Sequence, residues 1–325
     1  MLNEFRQDPI TGEWILFSTN RVLRPHHTSQ TVRQTAAECP FERPLDSNNE
    51  ILASYPQKSG DDWRAMAVTN KYSFFQPVVN DSVRTVGPFA ILPPNGSSEV
   101  IIFRDHNRSL YEFTSAEAYL LFEIWRERFQ LLADSGNSYV IPFYNQGINA
   151  GGSLDHPHAQ IMATSLIPMD VRTKLDTVRQ YYERQQLNIY EVMLAWEIAE
   201  KHRIMYENDS FVALCPFVSR IPYEIRIFPK ASSASFEQIS ETDLAALSNC
   251  FTAIVRMLEK ALNKPDFNLF IHTLPPGIPT AALAYRWHIE IMPQLTIPGG
   301  FELGSGLRVN TIDPDEAAEK FRNNQ

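Results

Sequence analysis

Asn145-Gln-Gly-Ile-Asn-Ala-Gly-Gly-Ser-Leu-Asp-His-Pro-His-Ala-Gln-Ile-Met162 follows a β-branched and aromatic run from Tyr139 to Tyr144. The pattern reads as strand, tight glycine-rich loop, and a second strand beginning near His156. In that second strand His156, His158 and Gln160 are two residues apart, a spacing that points their side chains to one face. A neutral imidazole attacks phosphorus when its other nitrogen is held by an acceptor, which fixes the tautomer and stabilises the cation as the new bond forms. Gly147, Gly151 and Gly152 remove side chains beside such a nucleophile, so backbone N–H groups can close around phosphate oxygens. Ser153 adds a hydroxyl and Gln160 an amide donor. Pro157 withholds a ladder donor between the two histidines and marks an edge or a bulge. The competing reading is a pair of structural histidines, which a lone histidine would favour and a His-x-His-x-Gln run behind a Gly-Gly-Ser loop does not.

This stretch resembles the galactose-1-phosphate uridylyltransferase branch of the histidine-triad superfamily. The resemblance implies that His158, the second histidine of His-Pro-His-x-Gln, becomes nucleotidylated and that Gln160 is its phosphate-binding partner. It places Asn145, Gly151 and Ser153 around the nucleotide phosphates and makes His156 a zinc ligand.

The rest of the chain sets bounds. Its 325 residues suit two average domains or one duplicated unit, and 44% hydrophobic with 21% charged residues is a globular composition. A formal net charge of -9 argues against a general nucleic-acid binder, which gains affinity by neutralising phosphates with a basic surface. Cys39, Cys215 and Cys250 are too few and too dispersed for a disulfide framework, no signal peptide opens the chain, and no apolar run reaches the roughly 20 residues that span a bilayer. A cytoplasmic protein is expected.

Before the central stretch, Trp14-Ile-Leu-Phe17 reads as a short strand. The segment Trp14 to Pro25 resembles the N-terminal signature of the same family, which places Arg21 and Arg24 near the nucleotide phosphates, where the guanidinium fork matches phosphate oxygens. Cys39-Pro-Phe-Glu42 lies where most of the family has Cys-x-x-Cys. Zinc accepts carboxylate oxygen, so the resemblance implies a zinc site of Cys39, Glu42, His106 and His156; the alternative is a lost metal with Glu42 a loop carboxylate. Trp63 to Thr69 alternates as a strand, and Asn70-Lys-Tyr72 resembles a family segment at the nucleoside, although asparagine is also a common turn residue. The proline-rich stretch from Asn80 to Gly96 reads as irregular loop. Thr114-x-x-Glu117 is a capping box opening a helix to about Ala133, whose Tyr119, Phe122, Trp125, Phe129 and Leu132 form an apolar core stripe.

From Val171 to His202 the chain reads helical, with Leu194 and Trp196 as buried contacts. The second half then repeats the first. Glu224-Ile-Arg-Ile-Phe echoes Glu99-Val-Ile-Ile-Phe at an offset of 125 residues, Ser240-x-x-Asp243 caps a helix to Leu262 as Thr114 does earlier, and Arg286-Trp-His288-Ile-Glu290-Ile-Met aligns with His156-Pro-His158-Ala-Gln160-Ile-Met. Duplication predicts an α+β fold: two histidine-triad-like units, 1–170 and 171–325, forming two antiparallel half-barrels joined into one extended sheet flanked by helices. In the family the second copy carries another metal; here His272, His288 and Glu290 either hold a metal or bond each other across strands. Pro298 to Gly306 reads as a glycine-rich loop, in which Glu302 matches a family carboxylate that holds the hexose.

The implied function is a nucleotidyltransferase working by double displacement, with a nucleotide sugar and a sugar 1-phosphate as partners. UDP-glucose:hexose-1-phosphate uridylyl transfer leads. An ADP-glucose phosphorylase using orthophosphate is the nearest alternative. A hydrolase ranks below both, because hydrolytic triad proteins usually carry a third histidine where Gln160 sits. From another class comes a nucleotide-sugar sensor without chemistry. The family is commonly dimeric, so a homodimer is expected.

Overall fold

Two helices with matching caps cover one face of a long antiparallel sheet. In this computed structural model residues 3–18, 39–46, 49–55, 63–78, 82–279 and 284–324 are described. The strands are β1 (Asn3–Gln7), β2 (Trp14–Ser18), β3 (Ile51–Tyr55), β4 (Ala65–Thr69), β5 (Arg84–Val86), β6 (Phe89–Leu92), β7 (Gly96–Phe103), β8 (Tyr139–Gln146), β9 (His158–Thr164), β10 (Ile204–Glu207), β11 (Phe211–Leu214), β12 (Ile225–Pro229), β13 (Phe267–His272) and β14 (His288–Pro293). The helices are α1 (Ser115–Asp134), α2 (Met169–Gln185), α3 (Ile189–Glu200), α4 (Glu241–Leu262), α5 (Gly300–Ser305) and α6 (Pro314–Arg322).

The main sheet has ten strands in the order β10-β11-β12-β14-β13-β8-β9-β7-β4-β3. Read outward from its centre it is the same on both sides: β8, β9 and β7 on one side correspond to β13, β14 and β12 on the other. The halves join where β8 pairs with β13, Asn145 opposite Asn268. This is the extended antiparallel sheet that the internal repeat predicts.

Period-two alternation sorts each central strand into two faces. Ala159, Ile161 and Ala163 of β9 face α1 and pack with Phe122, Trp125 and Phe129; Ile289 and Ile291 of β14 and Leu269 and Ile271 of β13 join the same core beneath α4. Thr114 caps α1 reciprocally with Glu117, and Ser240 caps α4. Phe122 meets Phe251 edge to face at 5.3 Å between the two helices. Tyr119 lies at the edge of the expected stripe, half-buried against the core, and its hydroxyl bonds Glu241 at the start of α4. A buried bidentate pair, Arg128 to Glu99 at 2.7 Å on both arms, ties α1 to β7. The opposite face is left for His158, Gln160, His272, His288 and Glu290.

Four expectations change. The stretch from Asn80 to Gly96 is not all loop: β5 and β6 form a hairpin around Gly87, whose φ of 58° suits glycine, and complete a four-stranded sheet with β1 and β2. Its prolines flank the strands rather than interrupt them. The helical connector is two helices, broken at Gln186 in the left-handed region and restarted by the Asn188 cap. Trp196 is 60% exposed, because α3 buries the line Tyr190, Leu194 and Glu197 and Trp196 lies off that stripe. The segment after Pro298 contains the short helix α5.

Candidate active site

The nucleophile expected from the sequence is built by two backbone carbonyls. β9 begins at His158, so His156 lies just before the strand and does not share its alternation; only His158 and Gln160 project together. Pro157 explains the boundary, for it offers no N–H, while its carbonyl still accepts from Phe103 N at 3.1 Å. The His158 Nδ1–H donates to the His156 carbonyl at 2.8 Å. A carbonyl only accepts, so the proton is on Nδ1 and the lone pair on Nε2. Here is the acceptor that the chemistry requires, supplied by the main chain. His158 is 7% exposed on the sheet face opposite α1, with Phe41 lying 5.2 Å from its ring.

His156 has a different task. Its Nε2–H donates to the Phe103 carbonyl at 2.5 Å, which turns Nδ1 toward Cys39 Sγ at 3.6 Å and His106 Nδ1 at 3.0 Å. The Glu42 carboxylate closes on the group, 3.0 Å from His106 Nδ1 and 3.7 Å from His156 Nδ1. A tetrahedron of bonds about 2.0–2.3 Å long has edges of roughly 3.3–3.8 Å, and the separations here, 3.0–3.7 Å, overlap that range. Two imidazole Nδ1 atoms face each other with a carboxylate and a sulfur, a donor set that a divalent cation satisfies. Burial holds His156 below the usual histidine range, hence neutral, and raises the Cys39 thiol. Asp105 and Asp155 add negative potential nearby. Cys39, His106 and His156 thus bring their donor atoms within 4.8 Å of one another, with the Glu42 carboxylate beside the two histidines, and this chemistry fits zinc.

The glycine loop is held by the other half of the chain. Gly147 (φ 85°) and Gly151 (φ 83°) adopt left-handed backbone, and a Cβ on Gly147 would fall 1.8 Å from Asp266 Oδ1. Asp266 Oδ2 accepts from Asn149 N at 2.8 Å. The amides of Gly151 and Gly152 donate to the carbonyls of Ile148 and Gly147 at 3.0 and 2.9 Å. These amides were expected at phosphate oxygens; in this structure they close the loop on itself, and glycine is required there by packing. Gly147→Ala is expected to lower stability by about 1–3 kcal/mol in denaturant unfolding, through backbone strain and the Asp266 clash. Unchanged stability would contradict that role.

Asn145 is oriented from across the seam. Asn268 Nδ2 donates to Asn145 Oδ1 at 2.8 Å and to the Ala150 carbonyl at 2.7 Å, and Asn268 Oδ1 accepts from Gln294 Nε2 at 2.8 Å. Sequence reading missed Asp266, Asn268 and Gln294. A signal existed for Asn268, a polar residue within the apolar strand Phe267 to Ile271, but its partner is visible only once β13 pairs with β8. Asn268→Ala should cost about 1–3 kcal/mol, since it leaves the buried Ala150 carbonyl unpaired. It should also slow transfer through Asn145, read as a fall in kcat larger than the rise in KM.

Asn70 caps a turn, accepting from Tyr72 N at 3.0 Å and donating to Ser98 Oγ at 3.1 Å, two β7 residues from Val100, the partner of Gln160. Glu302 accepts from Gly299 N at 2.5 Å and so caps α5, on an exposed segment. Arg21 and Arg24 lie outside the described residues.

The second half repeats the scaffold with other side chains. His288 Nδ1–H donates to the Arg286 carbonyl at 3.1 Å, as His158 does to His156. Arg286 Nη1 donates to the Pro229 carbonyl at 2.6 Å, at the end of β12, where His156 donates to Phe103 at the end of β7. His272, His288 and Glu290 have donor atoms within 4.8 Å of one another. Burial pulls His272 down to about 4 and lowers His288, while the two histidines and Arg226 hold the Glu290 carboxyl well below its ordinary range. No helix among the described residues is long and apolar enough to cross a membrane.

Comparison with known proteins fits this geometry. The family model described as "Galactose-1-phosphate uridyl transferase, N-terminal domain" matches residues 1–168, and one described as a domain of unknown function (DUF4921) matches residues 101–324. An ADP-glucose phosphorylase from Arabidopsis thaliana is 28% identical, covering 98% of this chain and 92% of its own. A galactose-1-phosphate uridylyltransferase from Thermotoga maritima is 26% identical over 98% of each. The crystal structure of an Arabidopsis thaliana ADP-glucose phosphorylase with bound ADP-glucose superposes with a TM-score of 0.78, at 28% identity and 98% coverage of both chains.

Proposed function

The chain belongs to the galactose-1-phosphate uridyl transferase family, and from that premise we propose that it is a nucleotidyltransferase exchanging a nucleoside monophosphate between a nucleotide sugar and a sugar 1-phosphate. The observation that carries this reading is the His158 Nδ1–H bond to the His156 carbonyl at 2.8 Å. It puts the lone pair of a neutral imidazole on Nε2, on the sheet face shared with Gln160.

In this reading His158 Nε2 attacks the α-phosphorus of the nucleotide sugar, the N–P bond forms as the P–O bond to the sugar 1-phosphate breaks, and the sugar 1-phosphate departs. The incoming sugar 1-phosphate then attacks the same phosphorus and releases Nε2. The proton on Nδ1 stays throughout, and the His156 carbonyl stabilises the cationic ring while the adduct lives. Gln160, Ser153 and the Asn145 amide donate to the phosphoryl oxygens; Arg21 and Arg24 and the residues Asn70 and Glu302, for nucleoside and hexose, complete the proposal. Cys39, Glu42, His106 and His156 would hold zinc, which when bound supplies a structural crosslink. Its physical effect reaches the chemistry through His156, whose ring is clamped while its carbonyl aims His158.

The boundary at 170/171, with only the 1–170 unit carrying the nucleophile, belongs to the same proposal. So does a cytoplasmic homodimer, supported by the exposed apolar residues Ile297, Phe301, Leu303 and Leu307 of one segment.

Uridylyl transfer from UDP-glucose is the leading assignment. The similarity over 98% of the chain to an ADP-glucose phosphorylase favours, as a second reading, adenylyl transfer to orthophosphate. Donor competition separates them: with UDP-glucose and ADP-glucose supplied together, a uridylyl-sized mass gain on the intact protein is expected. An adenylyl-sized gain would replace the first reading by the second, and no gain with either would end both.

A further inference from the structure

The second half holds a cluster that the first half does not prepare for. Glu290 is fully buried at 1% exposure, and both its oxygens are engaged by cations. Oε2 takes a hydrogen bond from Arg220 Nη2 and lies 3.1 Å from His272 Nε2; Oε1 lies 3.3 Å from Arg226 Nε and 3.5 Å from His288 Nε2. The same two guanidiniums hold Glu224, itself wholly buried: Arg226 Nη2 donates to it at 2.8 Å and Arg220 Nη2 at 3.2 Å. Glu224, Arg220, Glu290 and Arg226 thus form a closed ring of two carboxylates and two guanidiniums.

We infer that Arg220 and Arg226 supply the positive charge for which the second unit of the family uses a metal, so that no metal binds at His272, His288 and Glu290. The argument is electrostatic. Arg220 and Arg226 already occupy both oxygens of Glu290, so a divalent cation there would have to enter beside two like charges. In a buried setting such repulsion costs several times what it costs in water. One atom speaks the other way: His272 Nε2 is buried without a well-aimed hydrogen bond, as a ligand nitrogen would be. It is one atom, and binding through it would require Arg220 to leave Glu290. At the Cys39 group the balance is reversed: Glu42, Asp105 and Asp155 lie near, and among the described residues the ion pairs made there are between carboxylate and histidine. Guanidinium also matches a carboxylate in a fixed fork, so it serves a permanent structural place better than an exchangeable ion.

The inference rests on family membership for the comparison but not on the zinc reading of the first group. The test is metal content of the full-length protein, purified with zinc and dialysed, by elemental mass spectrometry, in wild type, His106→Ala and His272→Asn. One equivalent per chain in wild type and His272→Asn, falling to none in His106→Ala, is the expected result. No metal in any of the three also supports the guanidinium ring, while it defeats the zinc site at Cys39. Two equivalents in wild type, or one that persists in His106→Ala, would overturn the inference. Cobalt titration of wild type gives a readout independent of both variants: a thiolate charge-transfer band should saturate at the same equivalent as total bound cobalt. A second bound cobalt without further thiolate absorption would contradict the inference.

Discussion

His158→Ala is expected to abolish the covalent adduct and to lower the transfer rate by at least about 10⁴-fold, the scale seen when a nucleophile that acts as a unit with its surroundings is removed. Alanine leaves the strand register intact, since Ile102 still pairs with residue 158 and the buried neighbours Ala159 and Ile161 are untouched. Stability should therefore change far less than activity. The lost imidazole packs against Phe41 at 5.2 Å, which limits the folding penalty to that of a modest cavity. Rapid-quench measurement of sugar 1-phosphate release reads the first half-reaction directly. A variant that still releases sugar 1-phosphate at near wild-type rate would mean that another group attacks phosphorus.

Removing the metal should have the second largest effect, and through a different route. Chelation, or Cys39→Ala, takes away the ion proposed to join Cys39, His106 and His156. Without it, the two Nδ1 atoms 3.0 Å apart must share a proton or separate, and the buried His156 ring loses its clamp. The His156 carbonyl is the acceptor for His158, so a shift there rotates the nucleophile and weakens the hold on its Nδ1 proton. A loss of about 10–100-fold in the first half-reaction is expected, the range for supports that act behind a reacting group, together with a lower Tm. The loss should fall on kcat rather than KM, because none of these side chains is proposed to touch substrate. Adding zinc back to chelated wild type should restore both; full activity in a verified metal-free protein would contradict the connection.

Much of the site was legible before the fold was known, because its chemistry is carried by neighbours in sequence. Two-residue spacing placed His158 and Gln160 on one face, and Cys39, His106 and His156, although up to 117 positions apart, bring their donor atoms together, with Glu42 beside the two histidines. The duplication was readable too, since the segments headed by Glu99 and Glu224 fall on the corresponding strands β7 and β12. What could not be read depended on the partner across a seam or on side-chain geometry. Glycines taken as bare backbone for phosphate are fixed by Asp266, which belongs to the other half. Trp196 looked buried because composition does not say which side of α3 meets the sheet. The hairpin of β5 and β6 was hidden by prolines that sit beside its strands. Arg220 gave no signal, for its importance arises only when β12 lies next to β14 and brings Glu224 and Glu290 within reach of one guanidinium.

The account depends on a nucleotide residing for a time on one ring nitrogen. The most direct measurement is peptide mapping after brief incubation with UDP-glucose carrying a labelled α-phosphate, digested at neutral to alkaline pH to protect the N–P bond. The label should appear on the peptide containing His158, as a uridylyl group, and vanish when sugar 1-phosphate is added. Label on another residue, His288 included, or turnover with no labelled peptide at any time, would contradict it.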